Sequence, residues 1–95
     1  MTKSPHQLAE ERIGMAEEYS RYSGILANLF RERAKFYQTD REKFKSDTAT
    51  ERAWELTQFG IEMTTVRLRL KAIEKQMSAS NTMLRLMENE AKNLY

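Results

Sequence analysis

Histidine and cysteine, which often serve in catalysis and metal binding, are almost absent from this chain. His6 is the single histidine, and it shares a helix face with Glu10 because the two lie four positions apart. A zinc site needs three or four suitable ligands, and the chain has no cysteine to add to this pair. The same lack of cysteine excludes disulfides and cysteine nucleophiles.

The acidic residues near the start of the chain do not form a recognisable metal site either. They lack the Glu-x-x-His repeats of di-iron helical bundles, so a solvated helix face is the simpler interpretation. They are Glu10, Glu11, Glu17 and Glu18. The sequence has no glycine-rich phosphate loop and no placed histidine that would activate a serine hydroxyl. We therefore predict no enzyme activity, no cofactor and no bound metal.

Two basic clusters offer a different chemistry, the binding of phosphate groups. The candidate nucleic-acid contacts are Arg31, Arg33, Lys35, Arg67, Lys71 and Lys75. Aromatic residues that would stack on single-stranded bases are Tyr19, Tyr22, Phe36 and Tyr37. Acidic residues interleave with both clusters and the net charge is only +2. A small basic accessory protein for DNA or RNA transactions is therefore the alternative interpretation.

Composition defines the framework that must position these residues. Three glycines and one proline in 95 residues predict an almost entirely helical chain that forms a single domain, residues 1–95. No run of about 18 apolar residues exists to span a bilayer. The polar N-terminal stretch lacks the apolar core of a signal peptide. We therefore expect no membrane contact and a cytoplasmic location.

The first helix is predicted over residues 5–45, with Ser4 as N-cap and Pro5 at the first helical position. Two adjacent heptad seams, rows of positions in alternating steps of three and four, run along it. One seam is Ala9, Ile13, Ala16, Ser20, Ser23, Ala27, Phe30, Ala34, Tyr37, Arg41 and Phe44. The other is Leu8, Arg12, Met15, Tyr19, Tyr22, Leu26, Leu29, Arg33 and Phe36. Two seams predict two neighbouring helices, and Gly14 and Gly24 indicate either close helix packing or a kink.

A turn is predicted at 46–48 and a second helix at 49–94. Thr48 and Glu51 have the spacing of a capping box, although Thr39 and Glu42 form a rival pair. The second helix carries a nearly unbroken apolar seam. Its positions are Ala49, Arg52, Leu56, Phe59, Met63, Val66, Leu70, Ile73, Met77, Ser80, Leu84, Met87, Ala91 and Leu94. The polar stretch at 78–82 leaves a break there as an alternative.

Charge predicts that the two helices are antiparallel. Residues 1–20 and 46–65 are net acidic, whereas residues 21–45 and 66–95 are net basic. An antiparallel hairpin sets most acidic blocks against basic ones, and a parallel pair would set the two acidic starts side by side. Each surface pair contributes little to stability, but like-charge contacts penalise the wrong alignment.

The seams leave an apolar stripe on the outer side of the second helix, and such stripes usually mark an interface. We assign self-association to Trp54, Ile61, Leu68 and Ala72 and predict a dimeric four-helix bundle. The alternatives are a three-helix monomer in which residues 81–95 fold back, and a Trp54 that is only a core residue near the turn. The main functional prediction is a non-enzymatic, oligomeric helical module for protein interaction, assembly or inhibition, with a larger protein as its partner.

Overall fold

The computed structural model describes residues 3–93, and almost all of this part of the chain is helical. Helix α1 spans Pro5–Asp40, a short 3-10 turn spans Arg41–Lys43, helix α2 spans Asp47–Glu55 and helix α3 spans Gln58–Asn93. The long helices α1 and α3 have 36 residues each, or about 54 Å at 1.5 Å per residue. They pack antiparallel into a rod of 69 × 20 × 20 Å, which confirms the predicted hairpin.

The start of α1 follows the predicted capping chemistry. The Ser4 hydroxyl accepts a hydrogen bond from the backbone N–H of Gln7 at 3.2 Å, and the Gln7 side chain accepts one from the Ser4 backbone N–H at 3.0 Å. Pro5 occupies the first turn, where its missing N–H costs no helical hydrogen bond. This reciprocal pair is a capping box that satisfies two otherwise unpaired donors.

The connection after α1 differs from the predicted turn. Helix α1 ends at Asp40 instead of continuing to residue 45, and α2 begins at Asp47. The N-cap of α2 is Ser46, whose hydroxyl accepts from the backbone N–H of Ala49. The predicted capping box of Thr48 and Glu51 was wrong, because the Glu51 carboxylate instead accepts hydrogen bonds from α1.

The predicted continuous second helix was also wrong, because it breaks at Leu56 and Thr57 into α2 and α3. The Thr57 hydroxyl donates to the carbonyl oxygen of Trp54 at 2.6 Å and accepts from the backbone N–H of Gly60 at 3.0 Å. One side chain therefore helps to end α2 and to begin α3. The break changes which side of the chain before residue 57 faces α1. Leu56, a predicted seam residue, is 81% exposed. Thr50 is buried, whereas the predicted seam residues Ala49 and Arg52 are not.

From residue 58 onward α3 is one uninterrupted helix. The alternative break at 78–82 does not occur, and the described residues after 81 continue the helix instead of folding back. The predicted seam faces α1 from Met63 onward, with Val66, Leu70 and Ile73 buried. The final predicted seam residue, Leu94, lies outside the described residues.

The core lies between α1 and α3 and is covered by α2 at the connected end. Its buried cluster is Leu29, Trp54, Met63, Val66 and Leu70, with Tyr19, Tyr22, Ile25, Leu26 and Phe36 packed against it. Towards the open end, where α1 begins and α3 ends, Leu8 and Ser80 are also buried. The core is thus widest near α2 and narrows to a two-helix contact at the open end.

Only one of the two predicted α1 seams faces the hairpin partner. The seam that starts at Leu8 is the packed one, since Leu8 and Leu29 are buried and Tyr22 and Leu26 are half-buried. Most of the seam that starts at Ala9 is exposed. An added Cβ on Gly14 or Gly24 would meet nothing within 4 Å, so within one chain these glycines do not serve close packing.

An ion pair and a phenol–carboxylate hydrogen bond connect the two long helices, and the ion pair follows the predicted charge blocks. Arg69 on α3 donates to the Glu18 carboxylate on α1, with its Nε at 2.8 Å. The Tyr19 hydroxyl donates to the Glu74 carboxylate at 2.9 Å. Because these contacts join early α1 to the middle of α3, they stabilise the antiparallel alignment.

Candidate interaction surface

Trp54 lies in the core of the single chain and not on its surface. It is only 2% exposed, and its ring centroid is 5.6 Å from that of Phe36 on α1. The break at Leu56 and Thr57 turns α2 so that Trp54 points inward. The assignment of Trp54 to a self-association surface was therefore wrong, and the other interpretation, a core residue near the turn, holds.

The other three predicted interface residues lie on α3, on the side away from α1. Ile61 and Leu68 are 58% and 62% exposed, and Ala72 is half-buried. The same row continues to Leu86, which is 59% exposed. We call this row the α3 stripe. It comprises Ile61, Thr65, Leu68, Ala72, Lys75, Ala79, Thr82 and Leu86.

The α3 stripe repeats in alternating steps of four and three, which is the spacing of a coiled-coil seam. From Ile61 to Leu86 it extends about 38 Å at 1.5 Å per residue. Helix α1 packs on the opposite side of α3, where the buried row includes Met63, Val66 and Leu70. The helix thus has two seams, one covered by α1 and one without a partner in the described chain.

An apolar groove adjoins the α3 stripe at the open end of the hairpin. It encloses about 690 Å³ between α1 and α3, and its apolar lining includes Leu8, Met15, Ala79 and Met83. Ala79 belongs to both the groove and the stripe. Within the described chain, the buried hydroxyl of Ser80 in this lining has no hydrogen-bond partner. The sequence did not predict the groove, because its lining depends on which α1 seam faces α3.

The outer side of α1 also carries apolar residues, but they are more dispersed. Ile13 is 61% exposed and Phe30 is 44% exposed. The guanidinium carbon of Arg67 lies 5.2 Å from the centroid of the Phe30 ring, which is a cation–π contact. Phe30 is therefore partly covered by its own chain. The neighbours of Ile13 in its seam, Ala9 and Ala16, are both small.

The six candidate nucleic-acid contacts do not form one free basic patch. Arg33 donates to the Glu51 carboxylate at 2.6 Å, and its guanidinium carbon lies 4.6 Å from the Tyr37 ring centroid. This ion pair engages Arg33 inside the hairpin, which leaves its guanidinium group less available to a phosphate.

The other five candidates are distributed over both long helices. Arg31 donates to the Asn28 side chain, and Lys35 pairs with Glu32 at 3.2 Å. Arg67 lies over Phe30, whereas Lys71 and Lys75 are exposed. The exposed positive charge is thus divided between α1 and α3, and Lys75 belongs to the α3 stripe.

The carboxylate of Glu51 is the centre of the polar contacts that attach α2 to α1. It accepts from Arg33 and from the Tyr37 hydroxyl, each at 2.6 Å. Burial by itself would raise the pKa of Glu51, but the hydrogen bonds from Arg33 and Tyr37 and the charges of Arg33 and Arg67 lower it overall. The hydrogen bond to Glu51 in turn raises the pKa of Tyr37. Both shifts favour the charged carboxylate and the protonated phenol.

Replacing Glu51 with glutamine is expected to reduce the acid sensitivity of folding. A carboxyl pKa that is lowered in the folded state stabilises the fold above the unfolded value, about 4.3, and this contribution is lost as the pH falls through the folded value. We expect Glu51→Gln to lower the free energy of unfolding by about 1 kcal/mol at pH 7, since the pair is one-third exposed. The difference from wild type should shrink towards pH 3.

The measurement is urea unfolding followed by circular dichroism at pH 7 and pH 3, with Glu55→Gln as the matched control. Glu55 is exposed and lies on the same short helix. The Glu55→Gln substitution should therefore shift the urea midpoint little at either pH. Equal effects of the two substitutions would contradict the role given to the Glu51 contacts.

The described residues offer no metal site and no membrane span. His6 and Glu10 do pair, at 3.1 Å, but both side chains are largely exposed. No group of three or more histidine, aspartate or glutamate residues within 3–93 is arranged to hold a metal ion. None of the helices, over the same residues, is long and apolar enough to cross a bilayer.

Comparison with family models, curated proteins and solved structures finds no match to this chain.

Proposed function

We propose that this protein is a non-enzymatic helical module that self-associates through the α3 stripe and presents the remaining surface to a larger protein. The observation that carries the proposal is the second seam of α3. Ile61, Leu68 and Leu86 are each more than half exposed although they follow coiled-coil spacing. Exposed apolar rows of this kind are typical of protein interfaces.

Two further features support a protein partner over a nucleic acid. Arg33 is engaged by Glu51, and Lys35 is paired with Glu32, which leaves fewer free cations on α1. The exposed Lys71 and Lys75 lie beside or within an apolar row. Phosphate binding draws its strength from several unpaired cations, and this surface instead combines few cations with a long apolar seam.

The proposal predicts that a charge in the middle of the α3 stripe prevents dimerisation. Leu68→Glu would place two carboxylates in the interface of each dimer, and taking a charged group out of water is costly. The expected loss is about 2 kcal/mol or more of association free energy, or roughly 30-fold in the dimer Kd. Sedimentation equilibrium of wild type and variant over a concentration series measures it.

Ile13→Glu is the matched control, because Ile13 is as exposed as Leu68 but lies on the outer side of α1. It introduces the same charge and removes a side chain of similar size. We expect the dimer Kd of this variant to equal that of wild type. If Ile13→Glu dissociated the dimer and Leu68→Glu did not, self-association would have to be assigned to α1.

A further inference from the structure

We infer that two copies of this chain pair antiparallel along the α3 stripe, with the twofold axis between Ile73 and Glu74. This inference rests on the proposed function and adds the orientation and register of the pairing. In this register Ile61 lies opposite Leu86 of the second copy. Each α3 stripe thus packs against the α3 stripe of the second copy, which is rotated by 180° about the twofold axis.

The spacing of the α3 stripe, in steps of four, three, four, three, four, three and four, reads the same from either end. Read from either end, the eight positions pair so that their numbers add to the same value. The four kinds of layer are Ile61 with Leu86, Thr65 with Thr82, Leu68 with Ala79, and Ala72 with Lys75. The two central kinds of layer, Leu68 with Ala79 and Lys75 with Ala72, each join a larger side chain to a smaller one, so the helix separation stays even over the middle of the pair.

A parallel, in-register pair would distribute the same residues unevenly. Leu68 would oppose Leu68, while Ala72 would oppose Ala72 and Ala79 would oppose Ala79. Wide and narrow layers would then alternate along one straight pair of helices and leave voids. Packing density therefore favours the antiparallel arrangement.

The lysine in the stripe favours the same orientation. In a parallel pair the two Lys75 ammonium groups would share one layer. In the antiparallel pair each Lys75 lies opposite an alanine, Ala72, and the two lysines are offset by three residues, about 4.5 Å along the axis. The alanine leaves room for the aliphatic stem to reach the edge of the interface and keep its charge in water.

The hydroxyl groups of the two threonines in the α3 stripe, Thr65 and Thr82, already donate hydrogen bonds within their own helix. The Thr65 hydroxyl donates to the carbonyl oxygen of Ile61 at 3.1 Å, and the Thr82 hydroxyl donates to that of Ser78 at 3.1 Å. Because each hydroxyl hydrogen is used within its own helix, a layer that joins Thr65 to Thr82 leaves no donor unpaired. Their methyl groups are free to contact the second copy.

Site-directed crosslinking tests the register, and the lack of native cysteine makes each introduced thiol unique. Thr65→Cys and Thr82→Cys are nearly isosteric changes. The two variants, carrying different tags, are mixed, allowed to exchange subunits and treated with a short bis-maleimide. We expect a covalent heterodimer in the mixture and no covalent dimer from either variant alone, because like positions would lie about 26 Å apart. Ala27→Cys, exposed on the outer side of α1, controls for random collision.

The outcomes separate the register from the proposed function. Crosslinking of Thr65→Cys to itself would show a parallel pair and overturn the inference while self-association stands. A dimer by light scattering that crosslinks no better than Ala27→Cys would show that another face pairs, and would also overturn it. A chain that is monomeric by light scattering would overturn the proposed function itself.

Discussion

Replacing Gly60 with alanine is expected to destabilise the fold strongly, although alanine is the better helix former. A Cβ on Gly60 would lie 2.0 Å from the carbonyl oxygen of Trp54 and 2.8 Å from the Cα of Glu55. Both are backbone atoms, so the clash cannot be relieved by a side-chain rotation. We expect the free energy of unfolding to fall by about 2–4 kcal/mol, measured by urea unfolding.

Gly14→Ala and Gly24→Ala are the matched controls for this substitution. Both glycines lie inside α1, and an added Cβ would meet nothing within 4 Å at either position. Each control should raise the free energy of unfolding, by up to about 1 kcal/mol. Equal effects at all three positions would contradict the close approach of α2 to the first turn of α3.

Replacing Trp54 with alanine is the second change with a large expected effect. Trp54 is 2% exposed and packs against Phe36 inside the core cluster. Truncating a buried tryptophan costs about 3–5 kcal/mol, which is a large part of the roughly 5–14 kcal/mol expected for a chain of this size. Thermal unfolding followed by circular dichroism should show a much lower Tm.

The control for Trp54 is its neighbour Leu56, which is 81% exposed in the break between α2 and α3. Leu56→Ala should change the Tm little, because it removes side-chain atoms that are already in water. A Trp54→Ala variant that kept its Tm but lost self-association would contradict the core position and restore Trp54 to the interface.

The long-range order of this fold was predictable because it depends on periodicity and charge. Met63, Val66, Leu70 and Ile73 repeat at heptad spacing, and the structure buries all four. The acidic and basic blocks predicted the antiparallel alignment, and the ion pair between Glu18 and Arg69 agrees with it. These signals extend over many residues, so local errors do not change them.

The connection between the long helices was not predictable from the same signals. The break at Thr57 depends on one hydroxyl that bonds both Trp54 and Gly60, and a heptad count continues through it without a visible interruption. The predicted helical phase was therefore wrong before the break, and it placed Trp54 on the outer face of the helix instead of in the core. The fit of Gly60 against the Trp54 carbonyl is a three-dimensional contact that residue spacing does not encode.

The position of the α3 stripe was predictable in part for the same reason. Ile61, Leu68 and Ala72 lie after the break, where the predicted phase is correct, and they occupy the outer side of α3. The groove at the open end was missed because it requires knowing which α1 seam faces α3. Leu8 and Met15 contribute to that groove together with Ala79.

Self-association is the central claim, and the molar mass of the unmodified chain in solution tests it most directly. Sedimentation equilibrium at tens of micromolar, in moderate and in high salt, should give twice the chain mass of 11.2 kDa. The mass should not fall as salt rises, because an apolar interface is little screened. A single species of 11.2 kDa under both conditions would contradict the account.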